Sequence, residues 1–248
     1  MNREYIAQAH GVLGDEHSFV HLVDTMPSSE WNEGITNADR RIVEAARVSI
    51  AGEEVRAVHD EKKLIQYLLK NKHTSPFEHV RFTFHVRLPI FIARQWIRHR
   101  HGSFNEESAR YGKLANDFYI PTMARMLKGG QAKKNKQGSG AELSEQVAQY
   151  AINQITAESV GTYNKYEALL EAGVAREIAR MVLPTNIYTQ WFWTTDLWNL
   201  MHFLRLRLHT HAQWEVRQYA EAILRQVSTI VPFAMEAFAL HIYSEESS

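Results

Sequence analysis

The stretch Val80-Arg-Phe-Thr-Phe-His-Val-Arg-Leu88 decides the fold, because it is the clearest strand of the chain. Apolar side chains occupy every second position, and the positions between them hold Arg81, Thr83, His85 and Arg87. Successive side chains of a strand point to opposite faces, so the pattern predicts one face in the core and one polar face.

The segment after this strand, Leu88-Pro-Ile-Phe-Ile-Ala93, is almost wholly apolar and is expected to be buried. Its proline suits the first turn of a helix, which we predict to carry Gln95 and Arg98. Arg94 and Arg98 are four positions apart, so they would share one helical face. Gly102 then breaks the helix.

Cations accumulate at the end of this predicted helix. Arg94, Arg98, Arg100 and Arg110 lie within a short stretch that directly follows apolar sequence. A guanidinium group binds phosphate and carboxylate oxygens in a bidentate manner, so the stretch suits a small anionic ligand. A cationic cluster that opens off a buried segment is typical of a pocket wall. A solvated basic helix end is the alternative on charge alone.

Composition limits the classes of protein to which the chain can belong. The 248 residues can bury a substantial core, and no repeat or domain boundary is evident, so we predict one domain over residues 1–248. The 28 basic and 28 acidic residues balance, which argues against general attraction to nucleic acid. No apolar run approaches the roughly 18 residues of a membrane span, and the first residues lack a secretion signal, so cytoplasm is expected.

The chain has no cysteine, which excludes a disulfide framework, a thiolate metal site and a cysteine nucleophile. Two histidine pairs, His99-x-His101 and His209-x-His211, invite the idea of a metal site. Neither has a strong ligand spacing, and flanking arginines would repel a dication, so no metal is predicted. A metal hydrolase using His209 and His211 remains an alternative.

The rest of the chain reads as further strands and many helices. We predict strands over Ser18–Val23 and Thr189–Thr194. Helices are predicted over 37–47, Glu61–Lys72, 141–172, Ala175–Leu183, 196–208 and from His209 onward. Asn37 is the expected N-cap of the first of these helices, and Ser159 and Gly161 mark an expected break in the third. Residues 128–140 are glycine-rich and basic, which predicts a mobile surface loop rather than a phosphate-binding loop. The fold class is therefore predicted to be α+β, with an antiparallel sheet and several long helices.

One motif resembles a known family signature. Arg98-His99-Arg100, followed after seven residues by Ser108, resembles the RHR-x7-S pattern of the flavin-dependent thymidylate synthases. The similarity extends from roughly Val43 to Phe238 and includes the segments His73-Thr-Ser-Pro-Phe-Glu-His79, Arg176-Glu-Ile-Ala-Arg-Met-Val-Leu-Pro184, and Leu206-Arg207 with His211-Ala-Gln-Trp-Glu215.

The resemblance implies an activity and an assembly. The family carries out reductive methylation of dUMP to dTMP in de novo dTMP biosynthesis, with methylenetetrahydrofolate as carbon donor. FAD, reduced by NADPH, carries the hydride. The family is homotetrameric, and its sites are assembled from several subunits. The implied fold is the single domain of this family.

The resemblance also implies roles for particular residues. Arg207 would be the catalytic group that activates the uracil. The residues implied to hold FAD are Ser75, Arg98, His99, Arg100, Glu106, Asp196 and His202. The residues implied to bind dUMP are Gln95, Trp96, Ile97, Arg98, Glu106, Glu107, Ser108, Ala109, Arg110, Arg180 and Arg207. His73 would lie on the folate and nicotinamide side.

Some positions depart from the family pattern. Asp196-Leu-Trp198 stands where Asn-x-Arg is frequent, and His202 occupies a position where Asn occurs in other members. Phe104 replaces a common Tyr and removes one hydroxyl. A competing interpretation is an RNA-binding module that uses the arginine-rich stretch and the aromatic residues Trp191 and Trp193.

Overall fold

The computed structural model describes residues 4–49, 60–133 and 138–243. The strands, in chain order, are β1 (Ala7–His10), β2 (Phe19–Met26), β3 (Trp31–Asn32), β4 (Ile35–Thr36), β5 (Arg81–Pro89), β6 (Ser103–Glu106), β7 (Gly130–Gln131), β8 (Ser139–Ala141) and β9 (Tyr188–Asp196). Five of them form one antiparallel sheet in the order β1-β2-β5-β9-β6. The pairs β3–β4 and β7–β8 form two small separate hairpins.

Helices supply the rest of the described structure. They are α1 (Asn37–Val48), α2 (Glu61–Lys70), α3 (Ile90–Trp96), α4 (Met123–Leu127), α5 (Glu145–Glu171), α6 (Arg176–Ala179), α7 (Leu197–Leu208), α8 (Trp214–Ile230) and α9 (Pro232–Phe238). Short 3-10 helices cover Ser75–His79 and Arg180–Val182, and a π-helical turn covers Ala239–Tyr243. The predicted α+β class with an antiparallel sheet is confirmed. Within the described ranges, no helix is long and apolar enough to cross a bilayer.

Strand β5 lies in the middle of the sheet, as its alternation predicts. Phe82, Phe84, Val86 and Leu88 are fully buried. His85 lies on the opposite face, where it stacks on Phe192 of β9 with ring centroids 4.8 Å apart. The buried face packs against helices because it exposes only apolar side chains to them.

An aromatic cluster joins the buried face of the sheet to α7 and α8. Trp96, at the end of α3, is its centre and is fully buried. Its ring lies 5.2–5.6 Å from those of Trp193 and Trp191, and 4.6 Å from that of Phe203 on α7. The edge-to-face and offset contacts are the arrangements that aromatic pairs prefer. These contacts fix the position of the end of α3 and therefore the starting point of the segment that follows Trp96.

The helix after β5 is shorter than predicted. It ends at Trp96, and the backbone N–H of His99 donates to the carbonyl of Trp96 at 3.0 Å. Arg98 therefore lies beyond the helix and does not share a helical face with Arg94. Pro89 is the last residue of β5 and caps the helix instead of lying in its first turn.

The sequence did not predict strand β6. Residues 103–106 pair with β9 at the sheet edge, with Phe104 opposite Trp193 and Glu106 opposite Trp191. The strand is short and most of its side chains are exposed, so it lacks the alternation of a half-buried strand. Residues 103–106 are mostly polar and follow Gly102, a pattern that is typical of a turn.

Three helix boundaries also need correction. The N-cap of α1 is Thr36, whose hydroxyl accepts from the N–H of Asp39 at 3.0 Å, whereas Asn37 is the first helical residue. Helix α5 runs without a break through Ser159 and Gly161, and the Ser159 hydroxyl donates to the Ile155 carbonyl within the helix. Helix α8 begins at Trp214 and not at His209.

Other predicted boundaries agree with the structure. Gly173, at φ 85°, follows the end of α5, as a left-handed C-terminal glycine does. Asp196 caps α7 as predicted. Of the predicted loop 128–140, the hairpin β7–β8 covers both flanks and residues 134–137 lie outside the described part, so its mobility stays a prediction.

Candidate functional site

A cavity of about 290 Å³ lies where the chain leaves the aromatic cluster. It is lined by the segment after α3, the end of β9 and one side of α7, through Arg98, His99, Arg100, His101, Trp193, Thr195, Asn199, His202, Leu206 and Arg207. Five of the residues predicted from the resemblance therefore lie together, although more than ninety residues of chain separate Arg100 from His202. The turn at Trp96 and helix α7 bring them to one place.

The guanidinium group of Arg207 is held in one orientation. Its Nε donates to Nε2 of His99 at 3.0 Å, and its Nη2 donates to the backbone carbonyl of Gln95 at 3.0 Å. Because Arg207 can only donate, Nε2 of His99 must carry a lone pair, and the proton of this imidazole lies on Nδ1. Arg207 is half-buried, so its remaining N–H groups face a confined space.

The electrostatics of the cavity favour the neutral forms of His99 and His202. Burial, then the positive charge of Arg207, then His202 lower the pKa of His99 to about 4. The pKa of His202 is also lowered, first by burial and then by Arg205, His101 and Arg207. Burial lowers the pKa of Arg207, although a guanidinium stays protonated in proteins. At neutral pH the guanidinium groups of the cavity are therefore charged, whereas the imidazoles of His99 and His202 are neutral.

Two consecutive carboxylates follow the arginine-rich segment at the sheet edge. Glu106 accepts a hydrogen bond from the Thr189 hydroxyl at 2.9 Å. Glu107 accepts one from Nε2 of Gln190 at 3.3 Å, and its backbone N–H donates to the Gln190 carbonyl at 2.9 Å. Both carboxylates are otherwise exposed, so they are available to a ligand.

Arg110 belongs to a second cavity, of about 610 Å³. Lys113 and Arg176 line it with Arg110, and Glu177 lies 3.6 Å from Nε of Arg110. The backbone N–H of Arg110 donates to the Ser108 hydroxyl at 3.3 Å. Three cations thus line this cavity beside one carboxylate and several uncharged residues.

The remaining predicted residues lie at several places. Arg180 is exposed at the start of the 3-10 helix after α6 and lines neither cavity. Ser75 and His73 are exposed around the 3-10 helix that packs against α7 and β9, and the His73 ring lies 6.1 Å from Tyr67. Ile97 is exposed beside the first cavity.

The side chains of two predicted substrate contacts and one predicted flavin contact are engaged within the protein. Trp96 is fully buried in the aromatic cluster, so only its backbone can reach a ligand. Ala109 is buried in a second apolar cluster with Tyr163 and Tyr166. The carboxylate of Asp196 accepts from the N–H and the side-chain amide of Asn199, which commits it to capping α7.

The structure also brings residues to the site that the sequence did not single out. Gln213 accepts a hydrogen bond from the Gln95 side chain. Thr189 and Gln190 hold the two carboxylates, and Asn199 lines the first cavity. For Gln213 the signal was its place in the family-like segment His211-Ala-Gln-Trp-Glu215. For Gln190 the signal was a polar position within an aromatic strand, which is ordinary for a sheet face.

The competing interpretations can be compared with the same geometry. Trp191 and Trp193 are each 1% exposed, so neither offers a face on which a base could stack. His209 and His211 lie side by side with ring centroids 4.7 Å apart, and Nδ1 of His209 accepts the N–H of His211. Over residues 4–49, 60–133 and 138–243, no group of three or more His, Asp or Glu side chains is arranged to hold a metal ion.

The fold and the cavities define a class of protein: an α+β protein with arginine side chains lining two cavities that suit anionic groups. Comparison with known proteins identifies the family. The family described as thymidylate synthase complementing protein matches residues 32–233. The chain belongs to this family, that of the flavin-dependent thymidylate synthases.

Individual relatives cover most of the chain. A flavin-dependent thymidylate synthase of Thermus thermophilus is 49% identical over 227 residues, which are 92% of this chain and 77% of that protein. One of Dictyostelium discoideum is 47% identical over 90% of this chain and 72% of its own length. Among solved structures, a UMP/dUMP methylase, PolB, from Streptomyces cacaoi bound with 5-Br dUMP superposes with a TM-score of 0.77 at 36% identity, covering 89% of this chain and 94% of that one.

Proposed function

We propose that this protein converts dUMP to dTMP by reductive methylation, with methylenetetrahydrofolate as carbon donor and NADPH as reductant of FAD. Membership of the flavin-dependent thymidylate synthase family supports the reaction class. The observation that carries the proposal is the fixed guanidinium of Arg207, held by His99 and Gln95 in a cavity with two further arginines.

The residues around the first cavity fit a flavin cofactor. Arg98 and Arg100 offer cationic donors for an anionic group, and His99 and His202 offer imidazoles at the same cavity. No dinucleotide-binding glycine fingerprint occurs in the sequence, so side chains must hold the cofactor. FAD, when bound, supplies the hydride that reduces the transferred carbon.

The task of Arg207 follows from the chemistry of the pyrimidine. Carbon C5 of uracil is a poor nucleophile until negative charge builds on the ring. A preorganised guanidinium in a confined site stabilises such charge without reorganisation at the moment of reaction. Since the chain has no cysteine to add to the ring, electrostatic activation by Arg207 replaces nucleophilic activation.

The assembly we propose is a homotetramer whose sites combine several subunits. Within one chain, Arg98 and Arg207 line one cavity and Arg110 lines another, while Arg180 is exposed outside both. A nucleotide that needs all four arginines would have to draw on more than one copy. The distribution of these four predicted nucleotide-binding arginines over separate places in one chain supports the proposed tetramer.

Turnover and a point variant together test the function. We expect anaerobic mixing of the protein with FAD, dUMP, methylenetetrahydrofolate and NADPH to yield dTMP. Arg207→Ala should lower the rate at least about 100-fold, the usual cost of a preorganised charge stabiliser. Arg225→Ala, which changes an exposed arginine of α8, is the matched control and should retain full turnover.

Light scattering should show that the Arg207→Ala protein keeps the mass of the tetramer. Turnover in that variant equal to the control would contradict the role of Arg207. Absence of dTMP with the unmodified protein, under the same conditions, would contradict the proposed reaction itself.

A further inference from the structure

Strand β9 contacts both carboxylates of the signature through two consecutive residues. Thr189 is 3% exposed, and its hydroxyl donates to Oε1 of Glu106 at 2.9 Å. Gln190 follows it, and its side-chain amide donates to Oε2 of Glu107 at 3.3 Å. Consecutive residues of a strand point to opposite faces, so one strand holds the two acids from the two faces of the sheet.

The contact to Glu107 continues as a directional chain of hydrogen bonds. Because the nitrogen of Gln190 faces Glu107, its Oε1 must accept, and Nε2 of His85 lies 3.0 Å from it. Nε2 of His85 is therefore the protonated nitrogen, and Nδ1 accepts from the Tyr5 hydroxyl at 3.2 Å. The carboxylate of Glu107, which can only accept, thus determines the amide orientation of Gln190, and the His85 tautomer follows from it.

We propose that Thr189 and Gln190 are positioning residues for Glu106 and Glu107. The inference deepens the proposed function and rests on it, because it assumes that these carboxylates meet the nucleotide. Both acids lie on an exposed sheet edge, where a glutamate samples several rotamers. A hydrogen bond to each carboxylate reduces this freedom before the ligand arrives, so less ordering entropy is lost on binding.

The two residues act through the acids and not on the substrate. The hydroxyl of the buried residue Thr189 donates to Glu106, and the amide group of Gln190 contacts Glu107 and His85. The expected effect of losing either contact is weaker dUMP binding. The hydride and carbon chemistry that follow would be affected less.

A pair of substitutions at position 189 separates positioning from packing. Thr189→Val keeps the volume and the strand preference and removes only the hydroxyl, so we expect dUMP to bind about tenfold more weakly. Thr189→Ser keeps the hydroxyl and loses a methyl group, so binding should stay within about threefold of the unmodified protein. The measurement is isothermal calorimetry of dUMP with the FAD-loaded protein, together with KM and kcat.

The control is Thr194→Val, at the other end of β9. Its hydroxyl is 3.0 Å from that of Thr83, on the face of β9 that Gln190 shares, so this variant also loses one hydroxyl hydrogen bond. It should bind dUMP normally. In a Glu106→Gln background, Thr189→Val should have a much smaller effect, because the charged acceptor is gone.

The reverse order of the two variants, with Val binding normally and Ser weakly, would show that position 189 serves packing alone and would overturn the inference. Gln190→Met gives an independent test should Thr189→Val fail to fold, and it should also weaken dUMP binding. If the folded variants bind dUMP as tightly as the unmodified protein, and the unmodified protein still forms dTMP, this inference is contradicted and the proposed function is not.

Discussion

The contact between His99 and Arg207 links two segments of the site through a single lone pair. His99 belongs to the arginine-rich signature, and Arg207 belongs to α7. The hydrogen bond at 3.0 Å exists only while Nε2 of His99 is unprotonated. The positive charge of Arg207 is also among the causes that lower the pKa of His99 to about 4. Each group therefore maintains the state that the other requires.

We predict that His99 is the Nδ1-protonated tautomer and titrates near pH 4. Nitrogen-15 chemical shifts of labelled histidine, assigned with a His99→Gln variant, measure both properties. An ordinary titration near pH 6.5, or a protonated Nε2 at neutral pH, would contradict the described contact.

The lowered pKa of His99 also determines how the free energy of unfolding changes with pH. The unfolded chain takes up a proton near pH 6.5, whereas folded His99 does so only at about 4. The contribution of His99 to the free energy of unfolding is therefore fully present above pH 6.5 and is lost as pH falls toward 4. His21, whose pKa burial lowers to about 4, should act in the same direction.

At the scale of elements, helix α7 carries the catalytic candidate and begins directly at the end of β9. Asp196 is both the last residue of β9 and the N-cap of α7, and its Oδ1 accepts from the Asn199 N–H at 2.9 Å. A carboxylate at this position also interacts favourably with the helix dipole. The junction determines where His202 and Arg207 lie relative to the sheet.

We predict that Asp196→Ala lowers the free energy of unfolding by about 1 kcal/mol, the usual cost of losing an N-cap. Asp196→Asn should be close to neutral, because Asn caps helices as well as Asp. Urea denaturation of both variants measures the difference. Equal losses in the two variants would mean that the charge, and not the cap, matters.

Across the whole molecule, one buried ion pair ties distant parts of the chain together. Nε of Arg125 on α4 lies 2.7 Å from Oε1 of Glu215 in the first turn of α8, and the side chains are 13% and 4% exposed. The Tyr119 hydroxyl donates to the same oxygen at 3.2 Å. Glu215 lies two residues after Gln213, whose side chain accepts a hydrogen bond from Gln95. The carbonyl of Gln95 in turn accepts from Arg207, so the ion pair of Arg125 and Glu215 helps to hold the segment that contacts Arg207.

We predict that Arg125→Met lowers the free energy of unfolding by about 3–5 kcal/mol, because it leaves Glu215 buried without its counter-charge. The double variant Arg125→Met with Glu215→Gln should recover part of this loss, since no unpaired charge remains. The surface pair of Arg41 and Glu44, 3.2 Å apart and mostly exposed, is the control. Arg41→Met should change stability by less than about 1 kcal/mol.

A single variant and a double variant with equal stability would contradict the account of the buried pair. Thermal and urea unfolding, followed by circular dichroism, provide the comparison. The control variant also shows how much of any change comes from removing an arginine as such.

Periodicity predicted the elements that bury side chains regularly. The alternation from Val80 to Leu88 predicted β5, because half-buried strands must alternate. The aromatic, β-prone composition of Thr189–Thr194 predicted β9. The signature from Arg98 to Ser108 indicated the family directly. Strand β6 escaped prediction because an exposed edge strand has no buried face to impose a pattern.

By itself, the sequence determined the fold class, the central strand and the family, since these depend on local alternation and on short motifs. Only the tertiary structure decided which cations share a cavity, which nitrogen of His99 carries the proton, and that Thr189 and Gln190 hold the two carboxylates. The physical reason is that these contacts join residues far apart in the chain. Their distances depend on sheet register and helix packing, which no local pattern encodes.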